Sequence, residues 1–97
     1  MTALRIPLAA LPAQTVNIRL AQQSCRLSVY QKRTGLYLDL WINDALVAAG
    51  MLARDRVWLI RSPAAGFVGD LAFIDTQGKD DPEYTGLADR FQLVWEF

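Results

Sequence analysis

The chain has 97 residues, a length that fits one domain with a single core. Ten basic and ten acidic residues give a formal net charge of zero, so the chain has no overall charge that would attract nucleic acid or an anionic membrane surface. The apolar content of 53% is high for so short a chain, and we therefore expect part of the apolar surface to contact other chains.

The sequence indicates neither an export signal nor a disulfide. Pro7 and Pro12 bracket an apolar run that is too short for the hydrophobic region of a signal peptide. Cys25 is the only cysteine and falls on the apolar side of a predicted strand, so we expect a buried, reduced thiol. The longest apolar run, residues 45–53, is far below the roughly 18 residues that a membrane-spanning helix needs.

Alternation of apolar and polar residues predicts strands in the first half of the chain. Residues 4–8 are predicted to form a strand in which Pro7 requires an edge position or a bulge, because proline cannot donate a hydrogen bond to a neighbouring strand. Residues 14–20 and 24–30 are predicted to form a hairpin, and residues 35–42 form the third strand of the same meander.

The third strand of this meander has two distinct faces. Its aliphatic positions are predicted to face the core: Leu36, Leu38 and Leu40. Tyr37 and Trp41 point the other way, where large aromatic side chains are typical of protein–protein interfaces. A second buried face in a sandwich or barrel would account for them equally well.

The pattern is less regular beyond residue 42. Asn43 and Asp44 supply a tight turn into a strand at residues 45–49. Residues 51–61 can be read as a short helix or as a strand at residues 57–61, and the preferred interpretation is one short helix at residues 51–57 followed by that strand.

The second half of the chain predicts two more strands around a long loop. Residues 69–75 form a strand, residues 76–86 form a loop rich in Gly, Asp and Pro, and residues 90–97 form a final aromatic strand that inserts into a sheet. Short strands separated by turns, without long alternating helices, indicate a mainly β domain over residues 1–97. The predicted architecture is an antiparallel β-sandwich or a small β-barrel.

Residues suited to catalysis or metal binding are few. The densest carboxylate cluster comprises Asp75, Asp80, Asp81 and Glu83, but its spacing differs from that of a calcium loop, so a solvated turn is the preferred interpretation. Cys25 lacks the imidazole that normally activates a cysteine nucleophile, because the chain has no histidine. The sequence therefore predicts a protein that is not an enzyme and has no cofactor or bound metal.

A second hypothesis comes from the basic and aromatic residues near position 58. Arg54, Arg56 and Arg61 lie around Trp58, a composition found on surfaces that bind single-stranded nucleic acid. Asp55 interrupts the arginines, and packing explains Trp58 equally well. Because some small barrels bind oligonucleotides, the alternative function is that of a free-standing β-barrel that binds single-stranded nucleic acid or an oligosaccharide.

A series of short motifs runs along nearly the whole chain: RIPL, QTVNIRL, CRLSVY, LYLDLWIND, LVAAGMLARDRVWL and GDLAFIDTQGKDDPEYTGL, then a last aromatic strand. In this order the motifs resemble the phage baseplate plug family, small proteins of contractile-tailed bacteriophages and related prophages. The matching positions are Ile6, Pro7, Leu8, Leu38, Asp39, Leu40, Leu46, Val47, Gly50, Asp80, Pro82 and Leu87. Ala88 replaces the family's glycine after the late loop, and the turn at residues 43–45 lacks the usual glycine.

The resemblance implies a structural component of a phage tail baseplate that lies at or inside the hub and closes the tail lumen before ejection. It implies assembly in the host cytoplasm, a final location in the virion tail, and several copies in contact with other tail proteins, with neither a membrane nor nucleic acid as partner. The predicted contact residues are Tyr37 and Trp41 together with those of the late loop, Asp80, Asp81, Glu83 and Tyr84.

Overall fold

Seven strands make up the fold of this computed structural model, which describes residues 3–61 and 66–96. In chain order they are β1 (Ala3–Ile6), β2 (Ala13–Leu20), β3 (Gln23–Lys32), β4 (Gly35–Ile42), β5 (Ala45–Leu52), β6 (Asp70–Asp75) and β7 (Phe91–Glu96). A 3-10 helix at Tyr84–Gly86 lies between β6 and β7. The strands form a four-stranded sheet in the order β2-β3-β4-β5 and a three-stranded sheet in the order β1-β7-β6.

The four-stranded sheet is the predicted meander. Two-residue turns join β2 to β3 at Ala21 and Gln22, and β4 to β5 at Asn43 and Asp44. All four turn residues have positive φ, which defines the type I′ turn, whose twist matches that of the flanking antiparallel strands. The predicted hairpin and the predicted turn at Asn43 and Asp44 are therefore confirmed, and both turns form without a glycine.

The three-stranded sheet brings the two ends of the described chain together. β7 lies at its centre and pairs with both β1 and β6, which confirms that the last strand inserts into a sheet. β1 is an edge strand, the first of the two predicted alternatives, and it ends at Ile6, before Pro7, which has no N–H group to continue the ladder. Phe97, at the end of the predicted last strand, lies outside the described residues.

The core lies between the two sheets. Leu36, Leu38 and Leu40 are each 0% exposed, which confirms the predicted inward face of β4. The same buried cluster takes Leu71 and Phe73 from β6 in the opposite sheet. The two sheets stay separate in the described part of the chain. The architecture is therefore the predicted sandwich and not the predicted alternative, a closed barrel.

Residues 51–57 are not helical, contrary to the prediction. β5 extends through Leu52, which pairs with Tyr37, and the N–H of Ala53 donates to the carbonyl of Leu36 at 2.8 Å. Pairing with β4 takes up the backbone of residues 51–53, and the N–H of Arg56 donates to the carbonyl of Phe73 in β6, so these groups do not make the hydrogen bonds of a helix. Across the described residues, no helix has the length and apolar character needed to cross a bilayer.

The predicted strand at residues 57–61 is also absent. Instead, this segment follows the free edge of β6, where the N–H of Arg56 donates to the carbonyl of Phe73 and the N–H of Leu59 to that of Leu71. Positive φ at Arg56 and Arg61 interrupts the extended backbone that a regular ladder requires. The segment therefore covers the β6 edge without becoming a strand.

Candidate functional site

An ordered set of aromatic side chains lies on the outer face of the four-stranded sheet. Tyr30 of β3 and Tyr37 of β4 are directly opposite each other in the ladder, and their rings stack with centroids 6.0 Å apart and planes 16° apart. Trp41 lies on the same face, opposite Arg26. Period-two geometry places these residues outside because their neighbours Val29, Leu38 and Leu40 face the core.

Two cations lie over these rings. The Arg26 guanidinium carbon is 4.6 Å from the centre of the Trp41 ring, and the Lys32 Nζ is 5.4 Å from the centres of both tyrosine rings. Both distances lie within the range of cation–π attraction. We call Arg26, Tyr30, Lys32, Tyr37 and Trp41 the aromatic face.

Asp39 lies on the same outer face of β4 and holds Tyr30 in place. One of its oxygens, Oδ1, accepts hydrogen bonds from the Tyr30 hydroxyl at 2.9 Å and from the N–H of Gly50 at 2.7 Å. Burial and the nearby negative charge of Asp39 raise the pKa of Tyr30 above its ordinary value. Tyr37 is held similarly, since its hydroxyl and that of Thr34 are 2.6 Å apart. The rings are thus positioned before any partner binds.

The aromatic face continues onto β5 as apolar surface. Leu46 lies opposite Trp41 in the β4–β5 ladder and is 57% exposed. Because Leu46 is exposed beside Trp41, a partner that covers both side chains would remove a larger apolar area from water.

The loop between β6 and β7 is built around a buried ion pair. Asp75, which is 1% exposed, accepts hydrogen bonds from the Nε and a terminal nitrogen of Arg90 at 2.9 and 2.8 Å. It also accepts the backbone N–H groups of Gln77 and Asp80, both at 2.9 Å. The bonds from Arg90 hold the pKa of Asp75 well below its usual range, and Asp75 raises the pKa of Arg90. Asp75 therefore organises the loop and is not the solvated residue that the sequence predicted.

Three of the four predicted contact residues of this loop have side-chain contacts within the chain. Asp80 accepts a hydrogen bond from Arg90 at 2.8 Å, although 76% of its side chain is exposed. Asp81 accepts the backbone N–H of Asp55 at 3.0 Å. Glu83 is exposed, whereas Tyr84 packs partly against the core. The three carboxylates lie on the solvent-facing side of the loop, whereas Tyr84 lies on the side that packs against the core.

The six predicted contact residues therefore fall into two groups. Tyr37 and Trp41 share the aromatic face, whereas the other four lie in the β6–β7 loop. In the described parts of the chain, no group of three or more metal-ligating side chains has a geometry suited to a metal ion.

The basic cluster that suggested nucleic-acid binding is partly occupied by contacts within the chain. Arg56 donates to Asp55 at 2.5 Å and to the carbonyl oxygens of Gly78 and Asp75 at 3.2 and 3.3 Å. Arg61 donates to the carbonyl of Trp58, which itself is 40% exposed. Two of the three arginines thus hold backbone groups in place instead of forming an open stripe for phosphates.

A comparison with protein-family models now places the chain. The family described as "Cyanophage baseplate Pam3 plug gp18" matches residues 3–96, a range that includes all seven strands and both candidate surfaces. The chain belongs to this baseplate plug family. A comparison with curated proteins finds no match. The resemblance that the motifs indicated is confirmed, and a structural role in a phage baseplate follows from it.

Some residues of the plug protein's aromatic face escaped sequence reasoning. Arg26, Tyr30 and Lys32 are all at outward positions of β3, which the period-two pattern alone could have identified. Their pairing with Trp41 and Tyr37 depends on the β3–β4 register, and that register became visible only in the structure.

Proposed function

We propose that this chain plugs or lines the hub of a phage tail baseplate through protein–protein contacts and without catalysing a reaction. The aromatic face is the observation that carries this proposal. Tryptophan, tyrosine and arginine are the residue types that contribute most to binding energy at protein interfaces, and here they occupy one side of the four-stranded sheet.

The internal contacts of the aromatic face favour tight docking. Ordering a flexible side chain at an interface costs about 0.5–1.5 kcal/mol. Tyr30 and Tyr37 already have their rings stacked and their hydroxyl groups hydrogen-bonded. A partner that covers them would therefore lose little binding energy to the ordering of these side chains.

The β6–β7 loop is the second proposed contact. Asp80, Asp81 and Glu83 present carboxylates on its exposed side, while the Asp75–Arg90 pair beneath them fixes the backbone. Fixed, exposed carboxylates suit a basic surface on a neighbouring tail protein, since complementary charge accelerates association and sets orientation.

The proposal is tested by replacing Trp41 with alanine in the phage or prophage that encodes the chain. We expect Trp41→Ala to fold normally by circular dichroism and to be lost from purified tails, because its ring lies outside the core. Trp58→Ala is the matched control, since Trp58 is exposed and lies in the segment that follows the β6 edge, outside the aromatic face. Normal incorporation of Trp41→Ala into functional tails would contradict the proposed contact.

The alternative of nucleic-acid binding gives a different result in a simple titration. Binding of single-stranded DNA with a steep dependence on salt concentration, as expected when phosphate contacts release counterions, would favour that alternative. We expect no such binding, because Arg56 and Arg61 are engaged within the chain.

A further inference from the structure

Three of the four sheet edges are protected against pairing with another strand. β1 has only four residues and is followed by Pro7. The β6 edge is covered by residues 55–61. β5 has two register irregularities in its pairing with β4. Short strands, proline, bulges and covering segments are the usual means by which proteins prevent edge-to-edge association.

Along Ala13–Leu20 the edge of β2 has none of these protections, and Pro12, which precedes it, turns its carbonyl toward β3 and not toward the free side. β2 has eight residues, pairs with β3 without a register shift and contains neither proline nor glycine. Within residues 3–61 and 66–96, no other strand pairs with its free side. Arg19 is its only charged residue. A long, regular and open edge of this kind is a template for an added strand.

The hydrogen-bonding pattern shows which backbone groups are free. The N–H of Gln31 donates to the carbonyl of Pro12 at 2.8 Å, so alternation along an antiparallel ladder directs residues 14, 16, 18 and 20 toward β3. The N–H and C=O groups of the intervening residues point away from the sheet. These residues are Ala13, Thr15, Asn17 and Arg19, and all four are exposed.

The inner side of this edge is incompletely covered. Val16 and Ile18 face the core and pack against it, but both stay partly exposed, whereas the residues opposite them in β3, Leu27 and Cys25, are 0% and 3% exposed. A strand added beside β2 would bring further side chains over these two residues and extend the core.

We propose that two copies of the chain pair through their β2 edges, antiparallel about a twofold axis, to form one continuous eight-stranded sheet. The strand is complementary to itself. When Val16 lies opposite Val16, Thr15 lies opposite Asn17 and Ala13 opposite Arg19, so that the two arginines are never opposed. This register uses all the outward groups and forms about eight backbone hydrogen bonds, two for each of four pairs.

This pairing goes beyond the proposed function and does not depend on it. The contacts proposed with tail proteins use side chains of β3, β4 and the β6–β7 loop, whereas the β2 edge associates through its backbone. The two proposals can therefore fail separately.

Sedimentation equilibrium of the purified chain over micromolar to millimolar concentrations tests the pairing. We expect a monomer–dimer equilibrium that Asn17→Pro weakens at least tenfold, because proline removes an outward N–H from each copy. Asn17→Ala is the matched control, since it keeps that N–H, and it should dimerise like the wild type. Proline at this position removes no bond to β3, so an unchanged thermal melting temperature at low concentration shows that the monomer is intact.

Residue-resolved amide hydrogen exchange identifies the surface. We expect the amides of Thr15 and Asn17 to become protected as concentration rises, while those of Val16 and Ile18 are protected at every concentration by β3. A chain that stays monomeric at millimolar concentration, or a dimer that Asn17→Pro leaves unchanged, would overturn the proposal. Protection of Thr15 and Asn17 only on addition of a tail protein would likewise overturn self-pairing and assign the edge to that protein.

Discussion

Gly69 occupies a position where the structure has no space for a side chain. A Cβ atom there would overlap the backbone carbonyl oxygen of Glu96 and lie 2.9 Å from Trp95 Nε1. Gly66 has almost the same backbone conformation, with φ of +81° against +82°, but a Cβ atom there would meet no atom within 4 Å. Substituting each glycine with alanine therefore separates backbone strain from steric overlap.

In Gly66→Ala only the backbone conformation affects the free energy of unfolding, because the added Cβ atom meets no other atom within 4 Å. Positive φ costs an L residue about 1–2 kcal/mol, and the lower entropy of the unfolded chain with alanine offsets about 0.4–1 kcal/mol of this. We expect a net loss of about 1 kcal/mol in the free energy of unfolding.

Gly69→Ala adds a clash that rigid neighbours cannot relieve. The overlapped oxygen belongs to Glu96, which pairs with Asp70 in the β6–β7 ladder, and the Trp95 indole N–H donates to the carbonyl of Val68 at 2.7 Å. Overpacking costs about 1–3 kcal/mol, and loss of a buried hydrogen bond costs a similar amount. We expect Gly69→Ala to be about 3 kcal/mol less stable than Gly66→Ala.

Urea denaturation followed by circular dichroism measures both variants directly. For a domain of about 100 residues the expected difference corresponds to a melting temperature about 12–24 °C lower for Gly69→Ala. Equal losses of stability in the two variants would refute the reasoning, because they would show that the β6–β7 connection moves aside without penalty.

Three further predictions concern the core, a turn and the buried ion pair. Leu38→Asp should destabilise the fold by more than about 4 kcal/mol in urea denaturation, because it places an unpaired charge in the core. The control Leu46→Asp, on the exposed surface, should stay within about 0.5 kcal/mol of the wild type. Similar losses of stability in the two variants would mean that the inner and outer faces are assigned wrongly. Replacing Ala21 and Gln22 with Asn and Gly should raise the free energy of unfolding by about 1 kcal/mol, because these residues tolerate the positive φ of a type I′ turn. Because Arg90 lowers the pKa of Asp75 in the folded state, the stabilisation from this pair should be complete above about pH 5 and decline as the pH falls below about 4. Asp75→Asn should therefore be less stable than the wild type at pH 7, with a gap that narrows in acid melts, and a constant gap would contradict the assignment.

The parts of the fold that are predictable from the sequence are those in which a pattern repeats within a few residues. Alternation located the meander and assigned Leu36 and Leu38 to the core, because strand geometry forces successive side chains to opposite faces. The Asn43–Asp44 turn was predictable for a similar reason, since these residue types tolerate positive φ without support from the rest of the fold.

The structure differs from the prediction where long-range contacts decide the conformation of the chain. The chain from residue 53 to 61 has an ambiguous local pattern, and its shape is set by hydrogen bonds to β6. Asp75 lies next to a polar loop in sequence, so nothing local indicates burial, and only Arg90, fifteen residues later, neutralises it. Only part of the aromatic face is predictable from the sequence. Alternation along β4 predicts that Tyr37 and Trp41 face outward, but the cations beside them depend on the register between β3 and β4.

The pairing of β1 with β7 has a consequence for how the protein is made. The meander of β2 to β5 uses only connections between consecutive strands, so it can form on the ribosome as soon as residues 13–52 emerge. Ala3 pairs with Glu96, however, so β1 must wait for β7, although five strands lie between them in the chain. Closing so long a loop slows folding, and a nascent chain would expose the inner face of its meander until translation reaches β7.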